Sequence, residues 1–473
     1  MSQPERYEVL VLGSGAGGKL LAWHLAASGR RTAVIERKWI GGSCPNVNCL
    51  PSKNEVWSAK VADLIHHAAK FGMATGTTAI DMVRVRQRKR EMVDGLVAMH
   101  LEKYKASGTE LIMGVGRFIA PKTVEVRLND GGTRVLAGDH VFLNVGTRAT
   151  IPPIPGLADA RPMTNIELLE IDRLPEHLVV LGGGYVGLEF AQAYRRFGSR
   201  VTIIEHGPQL LGREDPDVAD EVRRFLVAEE IEVILAAEVL KVEGRSGDGV
   251  RLRVRTGGSE QTIAGSHILV ATGRTPNTAG IGLDVAGVQL DARGYIKVND
   301  RLETSASEVW AIGECAGSPQ FTHVSEDDFR IIRDNLAGAK RTTRNRLIPY
   351  CLFTDPPLAR VGLSEREARQ QGIAARVAKR PMGAVLRVWT TGEMTGFMKL
   401  LVEGSGERIL GFAMIGPEPG EVMAAVQTAM LGGLPYTVLR DAILAHPTMA
   451  EGLNSLFGEV PAQSTLSSVT AKR

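Results

Sequence analysis

Two cysteines, Cys44 and Cys49, stand in the run Gly41-Gly42-Ser43-Cys44-Pro45-Asn46-Val47-Asn48-Cys49-Leu50-Pro51-Ser52-Lys53. Thiols separated by four intervening residues at the start of a helix can close and reopen a disulfide, and the positive helix end favours a thiolate there. Lys53 adds positive charge. The rival reading, half of a zinc site, needs further ligands at finger-like spacing, and none follow. His66 and His67, adjacent in a helix-like stretch, read as surface residues, and no metal site is assigned. Cys315 and Cys351 lack such partners and read as packed thiols. Near the other end, His446-Pro447-Thr448 is followed by Glu451. A lone histidine is ordinarily a satisfied core residue, so its role depends on context.

The elements that must carry the cysteine pair announce themselves through glycine. Tyr7 to Arg37 reads as strand, Gly-rich turn, helix and strand, and the order recurs at Leu178 to Glu205. Each copy places an acid 23 positions after its first glycine. In the first copy Gly13, Gly15 and Gly18 permit a tight turn, close approach of a pyrophosphate and helix-strand packing, and Glu36 is placed to accept from ribose hydroxyls. The overlapping Gly13 to Lys19 resembles a kinase-type phosphate loop but has Leu20 where a magnesium-binding Ser or Thr belongs. In the second copy Gly182, Gly184 and Gly187 lead into Leu188-Glu189-Phe190, and Glu205 ends the strand. A glutamate there suits an unmodified adenosine ribose and repels a 2′-phosphate, so NADH is expected, with NADPH the alternative.

At 473 residues the chain exceeds what one core supports. Its 44% hydrophobic content is ordinary, no segment has the apolar length of a membrane helix, and residues 1–6 run straight into the first strand. A cytoplasmic protein is expected. A net charge of +3 from 56 basic and 53 acidic residues gives no electrostatic case for nucleic acid or membrane. The basic run Arg84 to Arg90 reads as the solvated face of a helix over 82–104. Four cysteines argue against a disulfide scaffold.

The turn-rich Ile151-Pro152-Pro153-Ile154-Pro155-Gly156 marks a boundary near residue 150. Residues 231–272 read as short strands returning to Ile268-Leu269-Val270-Ala271-Thr272-Gly273. Beyond about 346 the texture changes to antiparallel strands at 396–402 and 409–415, then helices at 420–431 and 438–444. The Ser/Thr/Ala-rich 461–473 is expected to be disordered. The expected fold is α/β: two Rossmann-like dinucleotide-binding domains plus a C-terminal α+β domain.

These residues resemble the flavoprotein disulfide reductases, such as glutathione reductase, lipoamide dehydrogenase and mercuric reductase, from Tyr7 to about Phe457. The resemblance rests on the Cys-x4-Cys-x-Pro-Ser-Lys element, on Thr272-Gly273-Arg274-Thr275-Pro276-Asn277 and on His446-Pro447-Thr448. It implies FAD on the first loop, NAD(P)H on the second, and a homodimer built by the C-terminal α+β domain. The implied division is 1–150 and 279–345 for FAD, 151–278 for NAD(P)H and 346–460 for dimerisation. Further implied flavin or nucleotide contacts are Gly42, Lys53, Gly146, Gly273, Gly313 and Glu314. The implied reaction passes electrons from NADH through FAD to Cys49, while Cys44 attacks substrate. Lys53 and Glu189 would pair near the flavin, and His446, oriented by Glu451, would serve the other subunit as acid and base.

The chain departs from its relatives at Asn144-Val145-Gly146, where Ala-Thr-Gly is common, at Gly313-Glu314 for Gly-Asp, and at Asn48 for Gly. The loop Gly182 to Gly187 and Arg213-Glu214-Asp215-Pro216 look like the mercuric-reductase branch, but no cysteine follows Phe457 to receive a metal ion. Phe321-Thr322-His323 to Arg330 and Asp355 to Gly362 more closely resemble bacterial flavoproteins of reactive-chlorine defence. A small thiol-reactive oxidant, hypothiocyanite or copper(II), is the substrate this implies. Lipoamide dehydrogenase activity, mercury reduction and a flavin-bound redox sensor or scaffold are the alternatives.

Overall fold

A computed structural model describes residues 3–463, so the expected disordered tail lies outside the described residues from position 464 onward. The chain forms two compact units, one of residues 1–176, 241–252 and 264–346, the other of 177–240, 253–263 and 347–473.

In the first unit, β1 (Glu5–Leu12), α1 (Ala16–Ala27) and β2 (Thr32–Glu36) make the expected strand-helix-strand unit. A short α2 (Ser43–Asn46) precedes α3 (Cys49–His66) and a long α4 (Met82–Ser107); β3 (Glu110–Ala120), β4 (Thr123–Leu128) and β5 (Thr133–Leu143) follow. β1 lies between β2 and β5, parallel to both, with Leu12 opposite Ile35 and Leu143. Val9, Leu10 and Val11 on β1 are fully buried, which is why that strand reads as a continuous apolar run. The strand Val309–Ala311 adds parallel to the end of β5. β1 and β5 therefore end side by side, and Asn144 N donates to Leu12 O at 2.8 Å.

The basic run is solvated only in part: Arg84, Arg88 and Arg90 are exposed, but the run is also tied down. Lys89 is 1% exposed, and its ammonium reaches Leu169 O and the Glu170 carboxylate, which Arg90 also binds. Arg86 pairs with Asp172 at 3.0 Å, and Arg88 donates to Asn54 Oδ1 at 2.7 Å. The run fastens α4 to neighbouring segments of its unit. Its acids lie about 80 residues away along the chain, outside any local charge pattern.

In the second unit, parallel strands His177–Leu181, Arg200–Ile204 and Glu232–Ile234 alternate with helices Tyr185–Phe197 and Pro216–Ala228. An antiparallel sheet holds Phe397–Glu403 between Ala375–Pro381 and Ile409–Ile415, and Leu358–Gly362 pairs with the last of these. Met398, Leu400, Phe412 and Met414 pack with Val426, Leu453 and Phe457 of two helices as one core. The helix expected over 438–444 is Tyr436–Asp441 and stops short of Leu444. Asn454 Nδ2 donates to the carbonyls of Leu439, Arg440 and Ala442, satisfying acceptors that another helical turn would have used.

Among the described residues, no helix is long and apolar enough to cross a membrane. Asp215, Asp217 and Glu365 form an acidic trio of the kind that holds metal ions. Lys399, 2% exposed, fills it, with Nζ 3.0, 2.9 and 2.6 Å from their respective carboxylates.

Candidate active site

The turn after β1 explains the glycines. Gly13 sits at φ +95°, and a β-carbon there would stand 2.3 Å from Asn144 O. One on Gly15 would stand 2.4 Å from Asn144 Oδ1. The unusual Asn144 is thus part of the loop: Oδ1 accepts from Gly18 N at 3.1 Å, and Nδ2 donates to Ile312 O at 2.8 Å. Glu36, buried at the end of β2, accepts from Ser14 N and Oγ through one oxygen and from Lys38 N and Trp39 N through the other. The acid that reads as a ribose acceptor also shapes the loop around the first turn.

Downstream, Gly42 at φ +82° lies so close to Gly15 that a β-carbon would approach its Cα to 2.5 Å. It precedes α2, which carries Cys44, and Cys49 opens α3. Both cysteines are free thiols, and their sulfurs hydrogen-bond to each other. The Thr322 hydroxyl lies 3.3 Å from Cys49 Sγ. The hydrogen bond from Cys44 holds the Cys49 thiol down to about 6, helped by Thr322 and the Lys53 charge against burial and Glu314. The same contact, followed by burial, pushes Cys44 up. Within the pair the negative charge is favoured on Cys49 over Cys44. Asn48 adopts φ −129°, with Oδ1 accepting from Asn165 Nδ2 at 2.7 Å. No left-handed glycine is needed there.

Gly146 at φ +63° and Gly273 at φ +125° face open space on the side a β-carbon would occupy. Directly after them in sequence, Thr147 and Arg274 bring their side chains to the Glu314 carboxylate, with Arg274 Nε 2.6 Å from Thr147 Oγ1 and 3.2 Å from Glu314. Behind Glu314, Gly313 N donates to the fully buried Asp328 at 2.7 Å, and Arg346 pairs with that acid. Burial pushes the Asp328 carboxyl up despite Arg346.

The second unit holds Gly182, Gly184, Gly187, Glu189, Glu205, His446 and Glu451. Glu205 accepts from Gly183 N and Gly207 N, each at 2.6 Å, and a β-carbon on Gly187 would meet Gly182 O at 2.2 Å. Gly184 is open on its β-carbon side. Glu189 is 4% exposed and accepts from Phe353 N at 3.0 Å. His446 Nδ1 lies 2.8 Å from Glu451 Oε2, with the imidazole largely exposed and the carboxylate largely covered. The residues that sequence reasoning missed are Thr322, Asn144 as a loop anchor, and Thr147 and Arg274 as partners of Glu314. Thr322, Asn144 and Arg274 lay inside recognised motifs, but nothing local marked their contacts.

A thiol pair biased toward one thiolate, beside a glycine loop with a buried acid and together with a second such loop, defines a nucleotide-dependent redox protein. The chain belongs to the pyridine nucleotide-disulphide oxidoreductases: the family model matches residues 7–328, and the model of the family's dimerisation domain matches 348–457. It is therefore a flavoprotein oxidoreductase that uses FAD and NAD(P)H.

Among individual proteins, it is 36% identical to the probable pyridine nucleotide-disulfide oxidoreductase RclA of Escherichia coli over 461 residues, 96% of this chain and 99% of that one. It is 31% identical to mercuric reductase of Staphylococcus aureus, covering 94% and 81% of the two chains. It is 33% identical to dihydrolipoyl dehydrogenase of Mycobacterium bovis, covering 95% and 97%. The solved Cu(II) complex of the HOCl-induced flavoprotein disulfide reductase RclA from E. coli matches with TM-score 0.87 at 35% identity, over 96% of this chain and 99% of that one.

FAD fits the residues present. Gly13, Gly15 and Gly42 are positions where only glycine is accommodated, and Gly146 leaves open space at a turn of positive φ.

Proposed function

We propose that the protein passes electrons from NADH, through FAD and a Cys44–Cys49 disulfide, to a small disulfide-like or thiol-reactive oxidant, hypothiocyanite or copper(II). The observation that carries this reading is the hydrogen bond between the sulfurs of Cys44 on α2 and Cys49 at the start of α3, beside the first glycine loop. On this reading residues 1–150 and 279–345 hold FAD, through Gly13, Gly15, Gly18, Glu36, Gly42, Lys53, Gly146, Gly313 and Glu314. Residues 151–278 hold NADH, through Gly182, Gly184, Gly187, Glu205 and Gly273. Residues 346–460 pair two subunits. FAD supplies the two-electron relay between nicotinamide and disulfide.

The protein's own groups do the rest. Lys53 keeps positive charge beside Cys49 and favours its thiolate. Cys44 attacks the oxidant's electrophilic sulfur, forming a mixed disulfide and expelling the leaving group. His446 of the partner subunit, aligned by Glu451, takes the Cys44 proton and returns it to that leaving group. Cys49 then displaces the reduced product and re-forms the Cys44–Cys49 bond. Copper(II) enters the acceptor set because the solved structure of the E. coli relative is a Cu(II) complex.

Steady-state NADH oxidation with hypothiocyanite, copper(II), lipoamide, glutathione disulfide and mercury(II) tests the reading. Hypothiocyanite or copper(II) is expected to give the highest kcat/KM, and Cys44→Ser to abolish hypothiocyanite turnover. Full activity in Cys44→Ser would refute the thiol route. Preference for lipoamide would move the protein to the dihydrolipoyl dehydrogenase reading, which the His446–Glu451 dyad also suits. Slow turnover with every acceptor would favour a redox sensor.

A further inference from the structure

Lys19 follows the first glycine loop, and the reaction outlined above leaves it without a role. Its surroundings supply one. From α1 its Nζ donates to Gly41 O at 3.2 Å and to His100 Nε2. His100 is 5% exposed, and its Nδ1 contacts Leu96 O, so Nδ1 carries the hydrogen and Nε2 is the acceptor. A β-carbon on Gly41 would stand 3.1 Å from both His100 Cδ2 and Pro45 Cγ, which places the imidazole against the turn that carries Cys44. The ring also lies 5.8 Å from that of Trp23.

Among the described residues, no carboxylate hydrogen-bonds to this partly buried ammonium. The charges that act on it are Cys44 and, at the start of the helix Thr322–Leu336, Glu326. Those that act on Cys44 are Cys49 and Lys19, with the Thr322 hydroxyl as a further donor; Lys53 and Glu314 act on Cys49. Burial pulls Lys19 below the ordinary ammonium value, and burial with the Lys19 charge pulls His100 below the ordinary imidazole value.

We propose that Lys19 is a positioning residue for disulfide exchange, its ammonium seated by His100 and Gly41 so that it faces the sulfur of Cys44 when that sulfur carries the negative charge. The inference rests on the redox role of the cysteine pair. Opening the Cys44–Cys49 bond with a hydride equivalent from NADH, two electrons and one proton, leaves one thiolate and one thiol. The hydrogen bond from Cys44 and the Lys53 charge favour the charge on Cys49, whereas attack on an oxidant requires it on Cys44. Once His446 of the partner subunit has taken the Cys44 proton the charge stands on the outer sulfur, and Lys19 lowers the cost of that state.

The test is the pH profile of Cys44 alkylation by iodoacetamide in the FAD-loaded, NADH-reduced enzyme, resolved to the Cys44 peptide by mass spectrometry. Lys19→Met is expected to slow alkylation at neutral pH about tenfold and to move its midpoint up by about one pH unit, with Lys19→Arg restoring most of the rate. His100→Phe keeps an aromatic ring in place but removes the acceptor, and is expected to shift the midpoint the same way by less; it decides the matter if Lys19→Met does not fold. An unchanged midpoint in a folded, FAD-bound Lys19→Met overturns the proposal, as does loss of FAD with normal Cys44 titration, which would make the ammonium a cofactor anchor. If Cys44 in the parent is alkylated equally before and after reduction, the redox reading fails first and the Lys19 proposal with it.

Discussion

The hydroxyl of Thr322 stands 3.3 Å from the sulfur of Cys49, although 273 residues separate them in the chain. With Cys49 as thiolate, that hydroxyl must donate. Thr322→Val is therefore expected to raise the Cys49 midpoint from about 6 by about one pH unit, since a donor to the charged form is lost. Thr322→Ser should retain it. The ultraviolet thiolate absorbance of the reduced protein against pH measures this, and a midpoint that stays put in the valine variant would exclude the hydrogen bond as a cause.

Asn144 ties the first glycine loop to the strand beside it. Asn144→Ala leaves Gly18 N and Ile312 O without their partner and should cost about 1–3 kcal/mol in denaturant unfolding. Gly15→Ala should also destabilise, because its new β-carbon meets Asn144 Oδ1 at 2.4 Å. The double variant should lose less than the sum, with a coupling of about 1 kcal/mol or more. Strict additivity would show that the clash is relieved in some other way.

Much of this arrangement is legible in the sequence, for an identifiable reason. Gly13, Gly15 and Gly42 all lie in one short stretch of sequence, so their spacing marks the loop even though Asn144, which leaves no room for a β-carbon at the first two, lies far along the chain. The Cys44–Cys49 pair is likewise local. The contacts that set its chemistry are not: Thr322, Lys19 with His100, and Arg274 with Glu314 meet only after strands and helices have packed. The basic run shows the converse. Its charges look solvated until Glu170, far along the chain, buries Lys89.

His446 and Glu451 make the opposite kind of pair, close in sequence and open to solvent on the imidazole side. His446→Gln is expected to lower kcat with the preferred oxidant about 100-fold by removing the acid–base group. Glu451→Gln should lower it about tenfold, because the ring loses the acceptor that fixes it at 2.8 Å. Thermal unfolding of both variants should stay near the parent's. A Glu451→Gln enzyme at full speed would reduce the contact to packing.

Glu205 is pinned by Gly183 N and Gly207 N, so its charge cannot swing away from the second glycine loop. Glu205→Gln should raise kcat/KM for NADPH about tenfold relative to NADH, since a fixed negative charge no longer opposes a 2′-phosphate. Initial rates with both nucleotides decide it. An unaltered ratio would mean that nucleotide choice is made elsewhere.

Lys399 shows how a cation can be made permanent. Three carboxylates within 4.8 Å of one another would ordinarily depend on the supply of a divalent ion, and their hold would weaken wherever that ion was scarce or chelated. Here the counterion is tethered to the strand Phe397–Glu403, so Asp215, Asp217 and Glu365 stay bound together at any external calcium or magnesium concentration.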